Sequence, residues 1–161
     1  MRFLLSLVVL FLGVAVPVSG GGLRGGGGSD DGTVSLDADN FEQLVAEDDG
    51  VWLVEIGSKF CGSCKQFSPV WKKLARAFKG RVNTGAVVVD EPKGMALATT
   101  LGALEKGIPA VMLFSKAGAN GEILMAGEHK TKKELKHLVS ARIADLPKDS
   151  NGASLKLSGE L

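Results

Sequence analysis

The stretch Phe60-Cys61-Gly62-Ser63-Cys64-Lys65 contains both cysteines of this 161-residue chain. Residues 51–56 before it form an apolar run with the composition of a strand, interrupted by a single carboxylate, Glu55. Apolar residues after it recur at helical spacing: Phe67, Val70, Trp71, Leu74 and Phe78. The pattern predicts a buried strand, then a helix that starts near Cys61 and holds Cys64 about one turn inside.

The place of the two cysteines at a helix start favours redox chemistry. The free amides and the positive dipole end of a helix N-terminus stabilise a thiolate, and a thiol in a Cys-x-x-Cys motif can have a pKa well below its free value of about 8.5. Cys61 is therefore the candidate nucleophile, and Cys64 is the candidate resolving thiol.

Two other uses of the cysteine pair stay open on these residues alone. A structural zinc site normally takes four ligands, and the chain adds only His129 and His137, which lie eight residues apart, outside the usual spacing of a histidine pair. A disulfide with a purely stabilising role would close a very small loop, so it would constrain little of the unfolded chain.

Composition divides the chain into four parts. Residues 1–20 have the pattern of a secretory signal peptide, with Arg2 before an apolar run and small residues at a cleavage site. Residues 21–32 form a glycine-rich linker, residues 33–146 the folded domain, and residues 147–161 a polar tail. The apolar run is shorter than the ~20 residues that span a membrane, so we expect no stable membrane insertion.

The charge of the chain is nearly balanced, with 19 Lys and Arg residues against 18 Asp and Glu residues. Cleavage of the signal would remove Arg2 and bring the net charge to about zero. This balance gives no electrostatic reason to expect a nucleic acid or a membrane surface as a partner. We expect one domain, a monomer, and no bound cofactor.

The rest of the domain alternates strands and helices. Strands are predicted at residues 34–36, 51–56, 85–90, 110–114 and 122–126, the last two joined by a turn at residues 118–121. Helices are predicted after a cap at Asp37 or Asp39, from Cys61 to Gly80, over residues 95–104 and around residues 135–143. The order predicts an α/β domain with a central mixed sheet and helices on both faces.

Together these residues resemble the thioredoxin superfamily over about residues 34–144. The Cys-Gly-Ser-Cys-Lys motif matches the family's Cys-Gly-x-Cys-Lys, and Glu55, six residues before it, stands where the family keeps a buried acid. Pro69 matches the helix kink of the family, and Ile108-Pro109 matches its cis-proline. A glutamate at the acid position and the predicted signal peptide resemble the protein disulfide isomerase branch.

The resemblance implies a thioredoxin fold and thiol-disulfide exchange. Cys61 would attack a substrate disulfide, Cys64 would resolve the mixed disulfide, and Glu55 would relay a proton to or from Cys64. Pro109, if its peptide bond is cis, would present an extended backbone edge with which a peptide substrate could pair.

The chain departs from the family at positions that would tune the redox pair. Phe60 replaces the usual tryptophan, Gly57 stands where an aromatic is common, and Ser63 beside Gly62 is neither the proline of many thioredoxins nor the histidine of many isomerases. Lys130 lies near the place where isomerases often have an arginine that assists proton transfer, one residue out of register.

We therefore expect a disulfide reductase or isomerase that acts on protein or peptide thiols and disulfides and exchanges electrons with a redox donor such as glutathione. The predicted signal indicates the secretory pathway, with the endoplasmic reticulum lumen as the first expectation and secretion as the alternative. The alternatives in function are a non-catalytic binding module or chaperone of the same fold, and an exported redox effector.

Overall fold

The computed structural model describes residues 30–116 and 119–146. The predicted signal peptide, most of the predicted linker and the predicted tail lie outside these residues. The strands are β1 (Val34–Leu36), β2 (Trp52–Gly57), β3 (Asn83–Val88), β4 (Ala110–Ser115) and β5 (Ala119–Ala126). The helices are α1 (Gly62–Phe78), α2 (Pro92–Thr100), α3 (Ala103–Lys106) and α4 (Lys132–Asp145), with a π-helical turn at Glu42–Ala46.

The five strands form one mixed sheet in the order β1-β3-β2-β4-β5. The β1, β3 and β2 strands are parallel, whereas β4 is antiparallel to both β2 and β5. The parallel pairs are connected by helical crossovers, and β4 and β5 pair as a hairpin. The predicted α/β class with a mixed sheet is confirmed.

Side chains alternate between the two faces of the sheet and build a separate core on each. One core lies under α1 and α4 and contains Val51, Leu53, Phe67, Trp71, Leu74, Phe78, Val82, Val111, Leu113, Leu124, Met125, Leu135 and Val139. The other lies under α2, α3 and the π-helical turn and contains Leu36, Val45, Trp52, Val54, Ile56, Val87, Val89, Leu97, Ala98, Ala103, Ala110, Met112 and Phe114. Because β2 contributes to both cores, its position and register are fixed from both sides.

Several boundaries differ from those predicted. The helix expected at residues 95–104 begins earlier, with Pro92 in its first turn, and is divided from α3 at Gly102, whose φ of 67° breaks the helical path. The predicted cap Asp37 accepts hydrogen bonds from the Asp39 and Asn40 amides, but the turn that follows is π-helical.

Two further boundaries moved because pairing with a neighbouring strand overrides the local composition. The third strand begins at Asn83, which lies opposite Trp52 in β2. In the same way β5 begins at Ala119, within the expected turn, where it lies opposite Ser115. Pro69 lies inside α1, which continues through it rather than ending and starting again.

Candidate active site

The cysteine motif lies at the end of the sheet where four connections meet. Gly57 at the end of β2 is paired with Val88 at the end of β3, and Ile56 is paired with Ala110 at the start of β4. Since Ala110 is also paired with Ala126, the loop after β5 reaches the same end. The register therefore brings four segments to this same end of the sheet: the loop before Cys61, the segment after β3, Pro109 and the loop that contains Lys130.

Cys61 is the N-cap residue of α1, as the sequence predicted. Its sulfur accepts a hydrogen bond from the Cys64 backbone N–H at 3.3 Å and lies 3.0 Å from the Ser63 hydroxyl oxygen. The pKa of the Cys61 thiol is lowered, first by a hydrogen bond from the Cys64 side chain and then by the one from Ser63. These donors stabilise the thiolate, which is the form that attacks a disulfide.

Cys64 occupies the opposite environment, one helical turn inside α1. Only 5% of its surface is exposed. Burial, together with the hydrogen bond that Cys64 gives to Cys61, raises the pKa of the Cys64 thiol to about 11. Two free thiols in one motif thus differ in both exposure and acidity.

Glu55 lies on the face of β2 that packs against α1. The alternation of the strand places it in line with Val51 and Leu53, which belong to the core under α1. Burial raises the pKa of the Glu55 carboxyl to about 7, the negative charge of Asp31 adds to the rise, and Lys72 opposes it. A carboxyl that titrates near neutral pH can both accept and return a proton.

A cavity of about 370 Å³ connects these groups. Its walls are formed by Glu55, Gly57, Ser58, Lys59, Cys64, Lys65, Ser68, Ala86, Val87 and Val88. The buried thiol and the carboxyl therefore border the same space, which the sequence alone did not predict.

Asp90, in the turn that follows β3, anchors the loop that leads to the nucleophile. Its carboxylate accepts hydrogen bonds from the Ser58 hydroxyl at 2.5 Å and from the Lys59 backbone N–H at 2.6 Å. The Ser58 hydroxyl oxygen in turn accepts from the Phe60 N–H at 3.0 Å, and the Cys61 N–H donates to the Ser58 carbonyl at 3.4 Å. The hydrogen bond from the Ser58 hydroxyl is the main reason why the pKa of the Asp90 carboxyl is lowered.

Sequence reasoning missed Asp90. The residue is 32 positions from Ser58, and only the pairing of β2 with β3 brings the two together. The available signal was a carboxylate at the carboxyl end of the strand predicted at residues 85–90, which is a common place for a functional side chain in an α/β sheet.

The other predicted site residues surround the motif. Phe60 is 84% exposed and Gly62 is exposed, whereas Pro109 is buried and its peptide bond with Ile108 is cis. The Pro109 carbonyl accepts a hydrogen bond from Gly127 N–H at 3.1 Å, which ties the loop after β5 to the cis-proline. Lys130 in that loop forms an ion pair with Glu128.

Two further observations concern only residues 30–116 and 119–146. No three His, Cys, Asp or Glu side chains are grouped closely enough there to hold a metal ion. In the same part of the chain, no helix has the length and apolar character needed to cross a membrane.

Comparisons with known proteins agree with this geometry. The thioredoxin family model matches residues 32–141. The chain is 36% identical over 122 residues to the protein disulfide-isomerase A6 homolog of Drosophila melanogaster, an alignment that covers 76% of this chain and 26% of that protein. It is 39% identical over 92 residues to protein disulfide-isomerase A6 of Mus musculus, which covers 57% of this chain and 19% of that protein.

A solved structure supports the fold independently. The J-Trx1 fragment of ERdj5 superposes with a TM-score of 0.57 at 19% identity, covering 69% of this chain and 51% of that one. The chain thus spans about a quarter or less of the length of the two isomerase relatives.

The fold and the paired thiols at a helix start define a thioredoxin domain, and the chain belongs to the thioredoxin family. Within that superfamily the chain is similar to the protein disulfide isomerases.

Proposed function

We propose that the chain reduces or isomerises protein disulfides through Cys61 and Cys64. The observation that carries this proposal is the inequality of the two thiols. Cys61 is held at the helix start by thiolate-stabilising donors, whereas Cys64 is buried and has a pKa raised to about 11. An exposed nucleophile beside a shielded resolving thiol is what two-step disulfide exchange requires.

The proposed reaction begins when the Cys61 thiolate attacks one sulfur of a substrate disulfide. A bond forms between Cys61 and that sulfur, and the other substrate sulfur leaves with the electron pair. Cys64 then gives its proton to Glu55, attacks the Cys61 sulfur, and releases the substrate as a dithiol. The substrate gains two electrons and the pair becomes a disulfide. In isomerisation a different pair of substrate thiols gives two electrons back to the Cys61–Cys64 disulfide, which forms a new substrate disulfide and restores the reduced pair.

Substrates of this site would be polypeptides with exposed cysteines. Phe60 gives an apolar contact next to Cys61, and the cis-proline segment lies at the same end of the sheet. Both features suit an extended, partly unfolded chain. A thiol donor such as glutathione would restore the reduced pair.

The proposed location is the secretory pathway, with the endoplasmic reticulum lumen as the first expectation and secretion as the alternative. This rests on the signal pattern of residues 1–20. Expression of the chain with and without residues 1–20, followed by fractionation and protease protection, tests it. Cytosolic recovery of both forms would overturn the proposal.

The function is tested by trapping. Cys64→Ser should accumulate mixed disulfides through Cys61, because the resolving attack is absent, and adding Cys61→Ser should abolish the adducts. Turnover of a scrambled disulfide protein should require both thiols. Full binding or chaperone activity in the double variant, with no turnover in the wild type, would favour the non-catalytic alternative.

A further inference from the structure

The nearly balanced charge of the chain conceals a separation between the two faces of the sheet. Residues 62–81, which form α1 and the turn after it, contain no acidic side chain and six basic ones: Lys65, Lys72, Lys73, Arg76, Lys79 and Arg81. Residues 37–49, around the π-helical turn over the opposite core, contain no basic side chain and six acidic ones: Asp37, Asp39, Glu42, Glu47, Asp48 and Asp49. The net charge of the whole chain therefore describes neither face.

The second helix on the α1 side of the sheet adds to its positive charge. Helix α4 packs beside α1 over the same core, and its first two turns contain three exposed lysines, Lys132, Lys133 and Lys136. The carboxylate of Glu134 lies among them, but it accepts hydrogen bonds from the Thr131 amide and hydroxyl at the start of the helix. We call the exposed lysines and arginine of α1 and these three lysines of α4 the basic face.

The cations of α1 have no ion-pair partner within the domain. All of them are exposed, and over residues 30–116 and 119–146 none of them forms an ion pair. Elsewhere in the domain, Lys93 pairs with Asp39 and Lys116 pairs with Asp49. Because the charges of α1 are not neutralised by neighbours, the basic face attracts anions from outside the domain.

The basic face starts at the redox site. Cys61 caps α1, and Lys65 is an exposed cation one turn further along the helix. Since an α-helix rises about 1.5 Å per residue, Lys73 and Arg76 lie roughly 20 Å from Cys61 along the helix axis. An extended polypeptide covers this distance with about six residues. A polypeptide that lies along α1 can therefore reach the exposed sulfur with another part of the same segment.

We propose that the basic face binds an acidic segment of the polypeptide substrate, about six residues away from the cysteine that reacts with Cys61. The inference rests on the proposed function, because it specifies the substrate class of that same site. It is supported by charge complementarity and by the continuity of the basic face with the site. A sulfated polysaccharide or a nucleic acid would be attracted by the same charges, but neither has a sulfur that Cys61 could attack.

Attraction of this kind acts mainly on the rate of encounter. Complementary charge raises association rates by about 10- to 1,000-fold at low ionic strength, and the gain falls steeply as salt is added. The screening length is ~10 Å at 0.1 M salt, shorter than the distance from Arg76 to Cys61. We therefore expect an acidic segment to speed the first attack by Cys61 in a salt-dependent way, with no change in the chemistry of the two thiols.

The test compares two peptides of equal length whose single cysteine is activated as a disulfide with 2-thiopyridine. One peptide has a run of glutamates that begins about five residues from the cysteine, and the other has glutamines at the same positions. Attack of Cys61 on the peptide sulfur releases pyridine-2-thione, whose absorbance gives the rate. Each rate is normalised to the rate of the same peptide with 2-mercaptoethanol. The reduced wild-type chain should prefer the glutamate peptide about three- to tenfold at low salt, and the preference should disappear at ~1 M salt.

Matched double variants locate the effect. Lys73→Gln/Arg76→Gln removes two exposed charges of the basic face from side chains that do not line the cavity beside Cys64. It should lower the preference about two- to fivefold. Lys93→Gln/Lys116→Gln removes the same net charge elsewhere and should leave the preference unchanged. The rate with the glutamine peptide should be the same in all three proteins, which shows that the redox site is intact.

Three results would overturn the proposal: a preference of one or less, a preference that persists at ~1 M salt, or equal effects of the two double variants. Binding of heparin to the wild type without any preference between the peptides would assign the basic face to a sulfated polysaccharide, and would overturn the proposal as well. If the glutamine peptide reacts with Cys61 no faster than with 2-mercaptoethanol at equal thiolate concentration, the proposed function itself is wrong.

Discussion

The two ends of the layer formed by β2 and α1 are built from the same strand and helix but packed differently. At one end, Val51 and Leu53 meet Leu74 and Phe78, and all four side chains are at most 3% exposed. At the other end, the strand places Glu55 and Gly57 opposite Cys64 and Ser68, around a cavity.

The difference comes from side-chain type rather than backbone path. The alternation that directs Val51 and Leu53 into the core also directs Glu55 and Gly57 to the same face. Glu55 places a carboxyl where an aliphatic group would fill the core, and Gly57 has no side chain to fill it. This end of the layer therefore forms a functional site instead of a packed core. We infer that the packed end supplies stability and the open end supplies chemistry, and the following predictions test that division.

The largest expected effect is at the packed end. Phe78→Ala should lower the free energy of unfolding by about 3–5 kcal/mol, because the ring is fully buried and its removal leaves a cavity. Ser68→Ala, at the open end of the same helix, should change it by less than about 0.5 kcal/mol. Urea unfolding of both variants measures this, and equal losses would contradict the division.

The second prediction concerns the effect of the Glu55 carboxyl on the stability of the folded chain. Its carboxyl has a raised pKa of about 7 in the folded chain, so the folded state keeps a proton that the unfolded state loses near pH 4.5. The stability of the wild type should therefore fall as pH rises from about 4.5 to 7. Glu55→Gln, which cannot ionise, should be more stable than the wild type by about 3 kcal/mol at pH 8 and equal to it at pH 4.

Unfolding curves at the two pH values provide the check, and single-turnover kinetics show the functional side. Glu55→Gln should slow the resolving attack by Cys64 more than the first attack by Cys61, because only the buried thiol needs the carboxyl as a base. If Glu55→Gln were equally stabilised at pH 4 and pH 8 and resolved the mixed disulfide at the wild-type rate, both parts of the prediction would be wrong. The buried carboxyl would then affect neither the pH dependence of stability nor the resolving attack.

The two ends of the layer also differ in how far the sequence predicted them. Helical spacing was enough to identify Leu74 and Phe78 as core, and the motif with its flanking residues was enough to place Cys61 at the helix start. The cis bond before Pro109 was implied only by the resemblance to the thioredoxin superfamily. Glu55 stood out because a carboxylate in a buried strand breaks the apolar pattern.

What the sequence did not predict depends on contacts between distant segments. Asp90 contacts Ser58 only because the register of β2 and β3 brings them together. The cavity depends on the absence of a side chain at Gly57, and no local sequence pattern indicates such a space. The division of the helix near Gly102 is a related case, because the apolar spacing continues across a residue whose backbone leaves the helical region.

The third prediction concerns the anchor of the site loop. Asp90→Ala should slow the attack of Cys61 on a small disulfide about two- to tenfold, short of the ~100-fold loss that a misplacement of ~1 Å can cause. The reason is that the variant removes both hydrogen bonds that hold Ser58 and Lys59, while Cys61 keeps its own donors.

Asp90 is a positioning residue, so a second readout is needed. The pH profile of Cys61 alkylation should keep its midpoint in Asp90→Ala while the limiting rate falls, because the thiolate donors are intact. Asp90→Asn, which can still accept the Lys59 N–H, should recover part of the rate. A shifted midpoint with an unchanged limiting rate would mean that Asp90 acts through charge instead of position.

The smallest effect is expected at Ser63, where the hydroxyl lies 3.0 Å from the Cys61 sulfur. Because sulfur is a weak acceptor, one hydrogen bond from this hydroxyl contributes about 1 kcal/mol or less, which for a two-electron couple corresponds to about 20 mV. Ser63→Ala should therefore make the potential of the pair more negative by up to that amount, because the reduced thiolate loses a donor. Ser63→His should make it more positive, since a histidine can stabilise the thiolate by charge as well.

The order of the three potentials tests whether the open end of the layer tunes its chemistry through thiolate donors. We expect the wild type to lie between Ser63→Ala and Ser63→His, and between the values of about −270 mV for thioredoxin and about −180 mV for protein disulfide isomerase. All three proteins are equilibrated against one glutathione series, so that errors in the reference cancel. If Ser63→His leaves the potential unchanged or makes it more negative, donors at residue 63 do not set the potential of the pair. The surroundings of Phe60 and Pro109 would then be the next candidates.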